Sequence, residues 1–173
     1  RDWQHGVLVG AAMASETTAA ATGDVGVVRR DPMAMKPFAG YNFGDYWQHW
    51  LSMADRVPRL PGIFQVNWFR RDAGGRFLWP GYGENLRVLA WIIDRCRGRA
   101  AADETAIGAV PRRDALNLAG LNLPDATVTE LLSVDIAQWR REAEEIGSYL
   151  EGFGPRLPEE LRGELDSLRA RLK

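Results

Sequence analysis

The hydrophobic residues in the first sixty positions come in short runs that predict strands and one amphipathic helix. Residues 3–13 alternate weakly and then become small and apolar, which predicts a buried strand. A second short strand is expected at Val27 and Val28, before the Asp31-Pro32 pair ends it. In Gly44–Arg56 the large apolar residues recur at spacings of four and three, so this segment is predicted to be an amphipathic helix.

The middle of the chain carries a pattern that predicts a β-hairpin. Ile63–Phe69 alternates between its two faces, and Arg76–Trp79 can return as a second strand after the turn at Asp72–Gly75. If the loop has an odd length centred on Ala73, Phe69 and Phe77 become direct cross-strand neighbours.

The remainder of the chain is predicted to be mainly helical. Glu84–Arg97 has a helical stripe, residues 100–110 suit a surface connection with a short strand, and 127–173 forms a helical tail. Asp135 and Pro158 stand at plausible helix starts. The last stripe spans only about two heptads, which favours packing within the chain over a coiled coil; its residues are Leu157, Leu161, Leu165, Leu168 and Leu172. We therefore predict a mixed α/β (α+β) chain with strands and a hairpin first and helices at the C-terminus.

Composition limits the classes of partner and compartment. The 173 residues suffice for one domain, and the net charge of -1 creates no general attraction to nucleic acid or to an anionic membrane. The sequence contains no run of eighteen apolar residues, so it predicts no membrane-spanning helix. The single cysteine, Cys96, cannot form an internal disulfide, which suits a reducing compartment such as the cytoplasm, and it is expected to be inert packing. Because the sequence opens abruptly at Arg1 in a strand-like run, we interpret it as a piece of a longer protein.

Several common catalytic patterns are missing from the sequence. It has neither a G-x-x-x-x-G-K-[ST] phosphate loop nor a G-x-G-x-x-G turn. The two histidines, His5 and His49, lie far apart without a nearby cysteine or histidine, so the sequence predicts no metal site. We expect His5 to be a hydrogen-bonded structural group rather than a catalytic one.

The segment Asn67–Asn85 has the strongest claim to function. It combines glycines with five aromatic residues: Trp68, Phe69, Phe77, Trp79 and Tyr82. In one interpretation the core of the hairpin is formed by Trp68, Phe69, Phe77 and Trp79. In the other, the aromatic rings stack on a nucleobase. The residues alone leave these two interpretations level. In the second interpretation, Asn85 offers a donor and an acceptor to the base edge, and the backbone of Gly81 and Gly83 can approach the ligand closely.

The segment Ser15–Gly26 contains small and polar residues only. One interpretation is an ordinary surface loop, and the other is an active-site lid with Gly23 and Gly26 as hinges.

These residues carry a resemblance to a known family. The chain resembles the C-terminal portion of GTP-dependent phosphoenolpyruvate carboxykinases, more closely the bacterial members than the animal ones. The blocks that match, in order, are WQHGVLVGAAM, SETTAAA, DPMAMKPFAGYNFGDYWQHWLSMA, VNWFRRDAGGRFLWPGYGENLRVLAWI and, more weakly, IGAVPRRDALNLAGL. The resemblance implies that the complete enzyme converts oxaloacetate and GTP to phosphoenolpyruvate, CO2 and GDP in gluconeogenesis, with Mn²⁺ and Mg²⁺.

The resemblance also implies roles for individual residues. The hairpin and loop at 63–85 would bind guanine, and the mobile lid would lie at 17–27. The implied guanine-binding residues are Trp68, Phe69, Phe77, Tyr82, Gly83, Glu84 and Asn85, and the implied lid residues are Thr17, Thr18, Ala19, Ala20, Ala21, Thr22 and Gly23. The family usually carries phenylalanine at the position of Tyr82, so this chain adds a hydroxyl there.

The resemblance leaves the phosphoryl-transfer residues outside this segment, because the family's phosphate loop, metal ligands and substrate-binding arginines precede it. We therefore expect 1–173 to be a single C-terminal segment with no catalytic residue of its own, inactive without the N-terminal part of the same enzyme. That enzyme is expected to be a cytoplasmic monomer acting on small molecules, without nucleic acid or membrane partners. The alternative is a separate protein-interaction module whose aromatic hairpin docks a partner and binds no nucleotide.

Overall fold

The computed structural model describes residues 1–16 and 27–173. Its helices and strands, in chain order, are α1 (Trp3–Ala11), β1 (Ala14–Glu16), β2 (Val28–Arg30), α2 (Phe43–Ser52), α3 (Asn85–Cys96), β3 (Ala102–Thr105), β4 (Gly108–Pro111), α4 (Asp125–Leu132), α5 (Ile136–Glu151) and α6 (Glu159–Arg171). The mixed α/β class predicted from the sequence is confirmed. The chain divides into two compact units: a split unit, Arg1–Gln65 with Ala137–Lys173, and an inserted unit, Val66–Ile136.

The strand predicted at residues 3–13 is wrong, because Trp3–Ala11 is helix α1. The helix begins at Asp2, whose carboxylate accepts a hydrogen bond of 2.8 Å from the backbone N–H of His5. Its glycines permit close packing: a Cβ on Gly6 would lie 2.8 Å from Cδ1 of Ile63. A helix that is buried on most of its surface has no polar stripe, and its short apolar run then resembles that of a buried strand.

The core of the split unit forms where α1, α2, α5 and α6 meet. Helix α1 packs against both α2 and α6. The largest fully buried side chains include Val7, Leu8, Trp47, Leu150, Leu161 and Leu172. The predicted C-terminal leucine stripe is thus confirmed as packing within the chain.

A buried polar cluster connects α1 to α6 inside this core. Nδ1 of His5 lies 2.8 Å from Oε1 of Glu164, and Nη2 of Arg171 donates to the same oxygen at 2.8 Å. The side chains of His5 and Glu164 are each only 8% exposed. The expectation that His5 is a hydrogen-bonded structural group is confirmed.

Strands β1 and β2 form an antiparallel pair that brackets the predicted lid. Glu16 pairs with Val28, so the two ends of the connecting segment are adjacent. The pair is held by Asp31, which accepts a hydrogen bond of 2.8 Å from Oγ of Ser15, and by Arg30, which donates to Glu142 at 2.7 Å. The lid residues predicted at 17–23 lie outside the described residues.

Tyr149 on α5 provides a pH-dependent test of the split unit. Burial raises the pKa of this phenol to about 12, whereas an exposed tyrosine titrates near 10. Because the folded pKa is the higher one, the contribution of Tyr149 to stability is complete below pH ~10 and is lost as the pH rises towards ~12. We expect the midpoint of urea unfolding to fall between pH 9 and pH 11.5, and to fall less in Tyr149→Phe. An equal fall in both proteins would contradict the assignment.

The hairpin of the inserted unit is much shorter than predicted. No strand forms over Ile63–Phe69 in the described structure, and one antiparallel bridge pairs Arg71 with Phe77. This register places Phe69 diagonal to Phe77, so the prediction that the two are direct cross-strand neighbours is wrong. The alternating residues lack a partner strand, and alternation alone cannot supply one.

The remaining elements of the inserted unit follow the hairpin. Helix α3 is confirmed close to its predicted bounds, and it buries Trp91, whose indole N–H donates to the carbonyl of Ala101 at 3.2 Å. The region predicted as a connection with one short strand contains the antiparallel pair of β3 and β4, one strand more than predicted. Cys96 is exposed, so the expectation that it packs in a core is wrong.

Candidate functional site

The turn of the hairpin is organised by Asp72. One of its carboxylate oxygens accepts hydrogen bonds from the backbone N–H of Gly74 at 2.8 Å and of Arg76 at 2.9 Å. The other accepts from the Arg76 guanidinium at 3.1 Å. The backbone hydrogen bond from Arg76 is the largest cause of a pKa lowered below the ordinary value of an aspartate. The turn between the aromatic residues is therefore fixed by hydrogen bonds and not by burial.

The structure separates the aromatic residues into an exposed group and a buried one. Phe69 is 68% exposed, Phe77 is 52% exposed and Tyr82 is 92% exposed, whereas Trp79 is only 7% exposed. The core interpretation, which covered Trp68, Phe69, Phe77 and Trp79, is therefore right for Trp79 and wrong for Phe69 and Phe77, while Trp68 is half-buried. Apolar rings that a folded segment leaves in water can stack on a flat ligand.

Two of the exposed rings are in contact with each other. The ring centroids of Phe69 and Phe77 lie 6.1 Å apart with an interplanar angle of 62°. The guanidinium of Arg71 lies 4.2 Å from the centroid of Phe77, within the range of a cation–π interaction. Arg71 thereby covers part of the Phe77 ring and restricts the side from which a ligand can approach it.

The loop that presents Tyr82 depends on a glycine. Gly81 has φ +125° and ψ −173°, a backbone region that glycine alone occupies at low cost. It is followed directly by a single 3-10 turn, Tyr82–Glu84, and then by α3, so the loop enters the helix without a linker. The positions of Tyr82 and Asn85 are consequently set by the same bend.

Gly81→Ala is expected to lower the free energy of unfolding by about 1–3 kcal/mol, because alanine is strained in this backbone region. A Cβ at Gly81 would meet no atom within 4 Å, so the cost is conformational and not steric. Gly83→Ala is the matched control, since Gly83 also has open space and has no positive φ. Urea unfolding of both variants measures the difference; equal losses would argue against strain at Gly81.

Arg87 holds this loop from the first turn of α3. Its Nε donates to Glu84 at 2.6 Å, and its Nη1 donates to the carbonyls of Asn117 at 2.7 Å and Ala119 at 3.0 Å. A role for Arg87 was not predicted from the sequence. Its spacing of three from Glu84 signalled a possible ion pair, but the two carbonyls come from residues thirty positions away.

Asn85, the first residue of α3, is held by the buried Trp79. The indole Nε1 of Trp79 donates a hydrogen bond of 2.9 Å to Oδ1 of Asn85. Trp79 also contacts Trp68, with ring centroids 6.1 Å apart and an angle of 46°. The structure thus brings together Phe69 with Phe77, and Trp68 with Trp79 and Asn85. Among the described residues, no aromatic ring contacts Tyr82.

The other candidate features of the inserted unit are weaker. A groove is lined by Asp103, Arg112, Arg113, Asp114, Leu116 and Leu118. Its arginines are already paired, Arg112 with Asp114 and Arg113 with Asp125, so they offer little to an anion.

In the part of the chain that the structure describes, no three His, Cys, Asp or Glu side chains converge as a metal site requires, and these residues therefore do not fit a metal ion. No helix among the described residues is long and apolar enough to cross a membrane.

Comparison with known proteins extends over nearly the whole chain. The sequence model of the phosphoenolpyruvate carboxykinase C-terminal P-loop domain matches residues 1–171. The chain is 54% identical over 176 residues to phosphoenolpyruvate carboxykinase (GTP) from Treponema pallidum (strain Nichols), with 99% of the chain and 28% of the relative covered. It is 52% identical over 174 residues to the Renibacterium salmoninarum protein of the same name, covering 99% of the chain and 29% of that relative. The Neocallimastix frontalis protein of that name is 54% identical over 176 residues, covering 100% of the chain and 29% of the relative. The chain thus spans less than a third of the length of these curated relatives.

Proposed function

Since the chain belongs to the family of GTP-dependent phosphoenolpyruvate carboxykinases, we propose that it is the C-terminal part of such an enzyme. The enzyme converts oxaloacetate and GTP to phosphoenolpyruvate, CO2 and GDP, in the service of gluconeogenesis. Within it, this segment binds the guanine base and supplies a lid over the substrates. The N-terminal part of the same protein supplies the phosphoryl-transfer chemistry, so the isolated 173 residues will not turn over oxaloacetate.

The observation that carries the proposal is the exposure of three aromatic rings on a backbone that is otherwise fixed. Phe69, Phe77 and Tyr82 are all more than half exposed, in a segment whose turn and loop are held by Asp72 and Arg87. Rings that are exposed and held in place can stack on a base, and such stacking stabilises a bound base by about 1–3 kcal/mol. Asn85 follows them and presents an amide to the base edge, while Trp68, Gly83 and Glu84 complete the proposed guanine site.

The lid is proposed for residues Thr17–Gly23, between β1 and β2. Support comes from its two ends, because β1 and β2 pair with each other. Ser15 of β1 donates a hydrogen bond to Asp31, and Arg30 of β2 donates one to the carbonyl of Ala12. A small-residue segment anchored at both ends can close over an active site without unfolding its base. Closure excludes water, which protects a reactive enolate from protonation.

The metals, the assembly and the compartment belong to the complete enzyme. Mn²⁺ and Mg²⁺ would be held by residues outside this segment. A monomeric, cytoplasmic enzyme acting on oxaloacetate and phosphoenolpyruvate completes the proposal.

Titration of the full-length enzyme with GDP and with ADP tests the base-binding role. Trp68 and Trp79 lie beside the proposed site, so tryptophan fluorescence should change on binding. We expect the fluorescence change to saturate at a lower concentration of GDP than of ADP. Equal responses to both nucleotides would remove the guanine assignment, and a protein that binds neither would favour the alternative of an interaction module.

A further inference from the structure

The contact between Trp79 and Asn85 fixes the orientation of the asparagine amide. An indole N–H is only a donor, so the atom that faces it at 2.9 Å must be the carbonyl oxygen of Asn85 and not its nitrogen. The usual ambiguity between the oxygen and nitrogen of an asparagine side chain is thereby removed. Trp79 itself is 7% exposed, and a buried ring has few positions available to it.

With its oxygen engaged, the Asn85 amide offers donors to a ligand. Its Nδ2 carries two N–H groups, and among the described residues none accepts a hydrogen bond from them. The side chain is half-buried, so these donors remain within reach of solvent or of a ligand. A base beside the exposed rings therefore meets N–H groups at this position.

A donor at the base edge discriminates between purines at position 6. Guanine and hypoxanthine carry an oxygen acceptor there, whereas adenine carries an amino donor. With adenine, the amide N–H of Asn85 would face the amino group of the base, and neither donor would have an acceptor. A binding site disfavours a ligand that leaves its polar groups unpaired.

We propose that Trp79 is a positioning residue that sets the preference for 6-oxopurines, by holding the Asn85 amide with its donors towards the base. This proposal deepens the proposed guanine-binding function and rests on it. Trp79 acts through Asn85 and need not touch the nucleotide. If Trp79 served only to fill the core, its loss would weaken all nucleotides alike, whereas a positioning role changes their ratio.

The test is isothermal titration calorimetry of the full-length enzyme and its Trp79→Phe variant with GDP, IDP and ADP. Phenylalanine keeps an apolar ring and removes the N–H, so the amide of Asn85 is free to rotate. We expect the preference for GDP over ADP to fall about tenfold, the equivalent of one hydrogen bond. IDP should lose as much as GDP, because both carry the 6-oxygen. The control is Trp91→Phe, which removes the same atoms from another buried tryptophan of the inserted unit, one with no proposed role in base binding, and should leave the ratio unchanged.

A second variant keeps the test decisive if Trp79→Phe fails to fold. In Asn85→Asp the indole N–H still donates to one carboxylate oxygen, and the other oxygen now presents an acceptor to the base. We expect the preference to shift from GDP towards ADP by tenfold or more. An unchanged ratio in Asn85→Asp or in a folded Trp79→Phe, or a loss seen with GDP and not with IDP, would overturn the role of Trp79 alone. A wild-type enzyme without preference for GDP would overturn the proposed guanine site, and this inference with it.

Discussion

Glu164→Ala is expected to lower the free energy of unfolding by about 3 kcal/mol, the largest effect on stability that we predict for a single side chain. The side chain of Glu164 is 8% exposed, and its carboxylate contacts His5 of α1 and Arg171 of α6. Removing it leaves the Arg171 guanidinium beside the core without this counter-charge, and it also breaks the polar connection between the two helices. Urea unfolding followed by far-UV circular dichroism measures the loss.

Glu160→Ala is the matched control for this experiment, because Glu160 lies one turn earlier on α6 and is exposed. We expect a change within about 0.5 kcal/mol for this surface substitution. Equal losses in the two variants would show that the buried cluster contributes nothing specific. A stabilised Glu164→Ala variant would show that desolvation of the cluster outweighs its hydrogen bonds.

Phe69→Ala is expected to weaken GDP binding by the full-length enzyme by roughly 5- to 150-fold, the equivalent of losing one stacking interaction of about 1–3 kcal/mol. Because Phe69 is 68% exposed in the free protein, its removal should cost little stability. The backbone N–H of Phe69 donates to Asn67, and alanine retains that contact. The loss of affinity therefore reports on the ligand and not on the fold.

Ile93→Ala serves as the control for Phe69→Ala. Ile93 is an apolar side chain, 49% exposed on α3, and it has no proposed role in base binding. Calorimetric titration with GDP should give the wild-type affinity for Ile93→Ala. Equal weakening in both variants would show that the exposed apolar surface, and not a stacking ring, matters for binding.

The elements that the sequence predicted correctly are those with one buried and one solvated face. Helices α2, α3 and α5 each carry an apolar stripe with helical spacing, and that spacing is a local property of the sequence. Helix α1 was missed because its buried residues lie around most of its surface, which removes the periodic signal. The strand over Ile63–Phe69 failed for the opposite reason: its alternation was clear, but a strand also needs a partner that local sequence does not encode.

The candidate site was predictable in composition but not in arrangement. The sequence offered the aromatic residues, Asn85 and the glycine-rich loop as candidates, and their role in base binding stays a prediction. In a regular hairpin of either register, Phe69, Phe77 and Trp79 would share one face. The separation of exposed Phe69 from buried Trp79 follows because the pairing is limited to one bridge, which was not predicted from the sequence. The roles of Arg87 and Trp79 depend on individual hydrogen bonds in three dimensions, and no spacing rule encodes those.

The division of the chain into a split unit and an inserted unit has a consequence during translation. Because Val66–Ile136 is continuous, all of its residues are synthesised before Ala137. The split unit, in contrast, cannot complete its fold until α5 and α6 have been synthesised. At ordinary elongation rates, synthesis of Ala137–Lys173 takes roughly 2–7 s. Until α6 has been synthesised, the residues of α1 that pack against it lack that partner. We expect ribosome-associated chaperones to bind there, and to bind longer when codons for α6 are translated slowly.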